Sequence, residues 1–102
     1  MVSREFICSV VRANHVIAVH MKGEDRIDNL SCLIYVIYDL IIDEVEEKQL
    51  IMNYINGINT NGLLKIKAVR TSQIDLSIQD SEPREYTINT LNIVKYEILN
   101  IW

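Results

Sequence analysis

The sequence predicts an α+β fold built from two tandem β-hairpin-plus-helix units joined by a further helix (ββα-α-ββα). The two units would be related by pseudo-two-fold symmetry, with antiparallel strands covered by helices. Two observations predict it. Period-two apolar alternation is followed by three-to-four-residue apolar periodicity in each half of the chain, and one ungapped register links the halves. That register, a shift of 58 residues, places Val11-Arg12 on Val69-Arg70, Glu24 on Glu82, Arg26 on Arg84, Leu33 on Leu91, Val36 on Val94 and Tyr38 on Tyr96.

At 102 residues the chain suits one domain with one shared core, spanning 1–102. Within it the first repeat unit covers 6–44, the connecting helix and link 45–63, and the second unit 64–102. In the first unit Phe6, Cys8 and Val10 alternate with Ile7, Ser9 and Val11. In the second, Leu64, Ile66 and Ala68 alternate with Lys65, Lys67 and Val69. Both patterns predict a strand. Polar breaks follow at Ala13-Asn14 and Thr71-Ser72, and second strands are predicted from His15 to Met21 and from Gln73 to Gln79.

Polar links containing Gly23 and Pro83 come next, and then the predicted helices, entered at Asn29 and Thr87 as capping residues. In the second copy Ile88, Leu91, Val94, Ile98, Leu99 and Trp102 recur at helical steps. Between the units, Asp43 to Gly57 reads as a separate helix. Asp43 and Glu46 form a cap pair, Glu44, Glu46 and Glu47 suit the positive end of the helix dipole, and Gly57 suits a stop. A continuous helix from Asp28 to Asn56 would be about 45 Å long. A break is therefore expected near Asp43.

The composition, 49% apolar and 24% charged, is that of a folded chain. A net charge of −4 speaks against a sequence-independent grip on nucleic acid, which depends on clustered Lys and Arg. No secretory signal opens the sequence, so an intracellular, cytoplasmic protein is expected. The most apolar segment, Leu30 to Ile42, is too short to cross a bilayer, and no membrane association is predicted.

No catalytic site is predicted, because neither a nucleophile motif nor a Gly-rich phosphate loop is present. His15, His20, Cys8 and Cys32 lack the close pairing of tetrahedral zinc ligands, so neither a metal nor another cofactor is expected. The two cysteines would serve as buried thiols in most cells, or pair in a hyperthermophile, where intracellular disulfides occur. Arg12 and Arg70 recur at the ends of equivalent strands. They could grip a carboxylate or phosphate together, or each cap its own hairpin through a salt bridge.

The length, the heavy use of Ile as in Leu40-Ile41-Ile42, and the Asn-rich link Ile55-Asn56-Gly57-Ile58-Asn59-Thr60-Asn61-Gly62 resemble small proteins of filamentous viruses that infect hyperthermophilic archaea. The resemblance implies an accessory or host-interaction role in the cytoplasm of an archaeal host. It carries no site residues.

An asymmetry between the units points to a partner. Outward positions of the second hairpin include Lys65, Lys67, Asp75, Ser77 and Gln79, whereas the first has Ile7, Ser9, Ile17, Val19 and Met21 in the same places. The expected function is therefore a protein or peptide interaction module, with a homodimer as one form. Its partner-binding residues would be Ile7, Val11, Ile17, Val19, Met21, Arg12 and Arg70. The alternative is a nucleic-acid-binding accessory protein using Arg12, Lys65, Lys67 and Arg70.

Overall fold

A computed structural model describes residues 2–22, 33–75, 78 and 80–99. The link around Gly23, the helix entry at Asn29, Cys32, Ser77, Gln79 and Trp102 lie outside the described residues.

The first element is a helix, α1, Arg4–Arg12. Ser3 caps it by accepting a hydrogen bond from the Phe6 N–H at 3.0 Å, and Arg12 lies in the last turn, where the dipole favours a cation. This corrects the strand expected over Phe6–Val11. That run is apolar at both parities, so a period-two test cannot distinguish it from a helix that buries Ile7, Cys8, Val10 and Val11 on one side. Asn14, at φ 64°, then turns the chain into β1, Val16–Met21, close to the strand expected.

β2, Leu33–Leu40, replaces the helix expected in the first unit. Its Ile-Tyr-Val-Ile-Tyr run is β-branched and aromatic, and successive side chains enter different clusters on the two sheet faces. The break near Asp43 and the helix after it are as expected. In α2, Glu44–Ile55, the Asp43 carboxylate accepts from the Glu46 N–H at 2.8 Å, and Gly57 follows the helix at φ 73°.

β3, Leu63–Thr71, keeps the predicted alternation. The strand expected from Gln73 to Gln79 does not form among its described residues. The final helix is also corrected. The chain makes β4, Arg84–Asn89, a 3₁₀ turn at Thr90–Asn92, and β5, Ile93–Leu99. Asn89 starts that turn by accepting from the Leu91 N–H at 3.0 Å, a local bond that competes with a continuing helix.

The five strands form one antiparallel sheet in the order β4-β3-β2-β1-β5, so the fold is α+β as expected. Among the described residues the strand order does not follow the tandem symmetry expected. The register that matched the halves pairs helical Phe6–Val11 with extended Leu64–Val69, and helix α2 packs on α1.

Strand order and the short β4–β5 link together dictate the sheet's shape. In a flat sheet the two edge strands would lie about 19 Å apart. Three residues in a 3₁₀ turn cannot span that distance. The sheet therefore curls toward a partly open barrel, helped by bulges in its β1–β5 and β2–β3 pairings. The turn is fastened on both sides. Thr90 N–H donates to the Gly62 carbonyl at 3.0 Å, Gly62 N–H donates to Thr90 Oγ1 at 3.0 Å, and Lys22 N–H donates to the Asn92 carbonyl at 2.7 Å.

Inside the curl, Ile17, Val19, Ile37, Leu64, Ile66 and Ile88 pack with Ile7, Cys8, Val10 and Val11 of α1 and Leu50 of α2. The outer face carries a smaller cluster of Val16, Ala18, Ile34, Val36 and Val69. Ile78 and Ile74, from the segment between β3 and β4, complete it.

Candidate interaction surface

The residues expected to meet a partner are occupied within the chain itself. Ile7, Ile17 and Val19 are 0% exposed, Val11 6% and Met21 7%. All belong to the inner cluster with α1, so the segment read as a strand of the open hairpin supplies part of that hairpin's cover. Arg12 donates from Nη1 to Asp39 at 2.9 Å and from Nε to Glu47, tying α1 to β2 and to the first turn of α2. Arg70 lies over the Tyr86 ring at 5.3 Å from its centroid, and an edge-to-face contact with Tyr35 holds that ring. The two arginines therefore work separately.

Arg70, Arg84, Tyr86, Ser81 and Glu82 line a shallow cleft of about 320 Å³ where β4 begins. It combines two guanidinium groups with one carboxylate. Among the described residues, no group of three or more His, Cys, Asp or Glu side chains is gathered as a metal site. Cys8 is buried, and that burial pushes its thiol up, which keeps it protonated and unreactive. No helix among the described residues is long and apolar enough to cross a membrane.

Among the described residues Glu5 is the most enclosed ionisable group, at 0% exposure. Its carboxylate accepts from Thr60 N–H at 2.6 Å, Thr60 Oγ1 at 2.7 Å and Asn53 Nδ2 at 3.0 Å. Burial alone would raise its pKa, but these three donors outweigh burial and hold it below the usual carboxylate value. Ser3 Oγ reaches Asn59 at 2.9 Å in the same cluster. A carboxylate held by three donors is a staple fixing the Asn-rich link to α1.

The surface that remains open is β5. Among the described residues no strand pairs with its outer edge. Its neighbourhood is apolar yet exposed: Leu91 is 64% accessible, Val94 59%, Ile98 46% and Tyr96 43%. Together these expose on the order of a few hundred Å², the scale at which apolar patches mark interaction sites. The Tyr96 ring meets Phe6 of α1 edge-to-face at 5.0 Å, so one end of the patch rests on the helix. On the opposite sheet face Lys95 and Glu97 flank the buried His20. Among the described residues the His20 Nε2 atom has no hydrogen-bond partner, and it lies 3.9 Å from Glu97. Burial lowers the His20 pKa, Lys95 lowers it further, and Glu97 opposes both.

A second apolar surface belongs to α2, where Leu50 alone is buried while Val45, Met52, Tyr54 and Ile55 are exposed. Reading 87–102 as a helix concealed β5, since helical periodicity places Lys95 and Glu97 on no edge. Once the segment is a strand, Val94, Tyr96 and Ile98 stand exposed on a sheet edge.

No family model, characterised protein or solved structure matches this chain.

Proposed function

We propose that this protein acts by binding rather than catalysis, as an interaction module that presents the outer edge of β5 to another polypeptide. One observation carries the reading: an edge strand whose apolar side chains Val94, Tyr96 and Ile98 stay exposed beside a backbone edge that no strand pairs among the described residues. Natural edges are usually guarded by charge, as β4 is by exposed Arg84 and Glu85. On β5 the charged residues stand on the other face from Tyr96, leaving the apolar side open. The resemblance to small archaeal-virus proteins would place such binding in the cytoplasm of an infected cell, in an accessory role.

The nucleic-acid alternative has less support. Arg12 is engaged by two carboxylates, and Lys67 lies between Asp39 on β2 and Glu85 on β4 in the strand register.

Lysine cross-linking in extract from the source cells tests the proposal. Cross-links from Lys95 to another polypeptide are expected in the wild type and should be lost in Tyr96→Asp. Cross-links that survive this change, or that arise only at α2, would overturn it.

A further inference from the structure

We propose that the partner of β5 is β5 of a second copy, paired antiparallel about a two-fold axis through Tyr96. This rests on the reading that the β5 edge is the contact surface, and it specifies the occupant. The argument lies in the order of residues along the strand, Ile93-Val94-Lys95-Tyr96-Glu97-Ile98-Leu99. Reversing the strand about Tyr96 places Lys95 opposite Glu97 of the other copy and Glu97 opposite its Lys95, forming two cross-strand pairs of opposite charge. The same operation places Val94 against Ile98 and Tyr96 against Tyr96. From Lys95 to Glu97 every position meets a residue of matching character, as an isologous interface requires.

The surrounding structure agrees with that arrangement. A two-fold axis perpendicular to the sheet keeps corresponding faces on one side, so both Tyr96 rings, each held by its own Phe6, gather beside the axis. The exposed Ile98 of each copy gains cover from the other. Lys95 and Glu97 are both exposed and thus available for pairing. The bulge at Val94 limits regular cross-strand pairing to Lys95, Tyr96 and Glu97, and Val94 and Ile98 add apolar contact at the two ends.

β4 is the other edge left unpaired among the described residues, and a β5-to-β4 contact would be head-to-tail, building a ring or a filament rather than a dimer. On the face that Tyr96 and Ile98 occupy, β4 carries Tyr86 and Ile88, which already pack into the inner cluster, and the exposed Arg84, so it offers no open apolar match to them. One strand pair with a few apolar side chains makes a small interface. The dimer should accordingly be weak, with a Kd on the order of 1–100 µM.

The test uses purified full-length protein in sedimentation velocity from low micromolar to several hundred micromolar. Wild type is expected to pass from monomer to dimer. Lys95→Glu sets Glu against Glu97, and Glu97→Lys sets Lys against Lys95, so each alone should weaken dimerisation about ten-fold or more. An equimolar mixture of the two variants restores both opposite-charge pairs and should recover a heterodimer, as should the double charge swap in one chain. That recovery also shows that each variant is folded. The self-pairing is overturned if the single variants dimerise like wild type, if the mixture associates no better than its components, or if assemblies larger than dimers form. A wild type that stays monomeric throughout also overturns it, while the cross-linking result separately decides whether β5 is a contact edge at all.

Discussion

β1 and β5 run side by side in the same sheet and are both predominantly apolar, yet all six residues of β1 are buried and none of β5 is. Position explains the difference. β1 is flanked by two strands, with the inner cluster under α1 on one face and the Ile34–Val36–Val69 cluster on the other. Among the described residues β5 has a neighbouring strand on one side only, and Phe6 covers part of its inner face. An apolar side chain in the central strand has its burial completed by its own chain. At the edge it depends on something brought from outside.

The largest expected effect comes from forcing β1 to behave as an edge. Replacing Ile17 with Lys and Val19 with Glu places two charges at sites that are 0% exposed. Even truncating a buried Ile to Ala costs about 2–5 kcal/mol, and unpaired buried charges cost more, against a total stability of roughly 5–15 kcal/mol. The double variant should be unfolded at room temperature by circular dichroism. A folded double variant would mean that α1 does not cover β1 as described.

The cover itself is expected to be the next most sensitive. α1 is fastened to the Asn-rich link by Glu5, whose three partners are all donors. Glu5→Gln keeps the shape but turns one acceptor into an NH2 group facing a donor, at a cost of about 1–3 kcal/mol in denaturant melts. The wild type should also depend on pH at this site. Because the folded-state pKa is lowered, Glu5 contributes its stability above the unfolded carboxyl value, and that contribution is lost as pH falls from there through the lower folded value. The Gln variant lacks the step in this window. Equal slopes of stability against pH in the two proteins would show that Glu5 is not the staple described here.

The same contrast explains which parts of the fold were legible in the sequence. α2 was readable because Asp43, Glu46 and Gly57 announce its ends chemically, whatever surrounds it. β1 and β3 were readable as strands, β3 because Lys65 and Lys67 alternate with Leu64 and Ile66. α1 and β2 were not, since Phe6–Val11 and Leu33–Leu40 are apolar at nearly every position and tertiary packing decides their period. The excess of apolar residues at Ile7, Ile17, Val19 and Met21 was a real signal, but it reflects a central strand and its covering helix rather than a binding face. The candidate surface was hidden for a related reason. Lys95-Tyr96-Glu97 becomes self-complementary only when 93–99 is known to be a strand on a free edge.

The smallest expected change in stability is the one that most sharpens the comparison. Ile98 pairs with Ile17 across the β1–β5 ladder, so the two side chains share a face and differ chiefly in cover, at 46% and 0% exposure. A Lys at 98 can lay its methylene stem along the strand and carry its ammonium into water, a route closed to a Lys at 17. Ile98→Lys should therefore shift monomer stability by about 0.5 kcal/mol or less, as surface substitutions do, when melts are run at low micromolar concentration. At higher concentration the wild type should gain stability from association, because only folded chains can pair, while the variant should gain none. A gap between the two melting temperatures that widens with concentration identifies Ile98 as a side chain covered by another molecule. A gap of several kcal/mol that is already present in the dilute monomer would instead place Ile98 within the chain's own core and remove the distinction between the two strands.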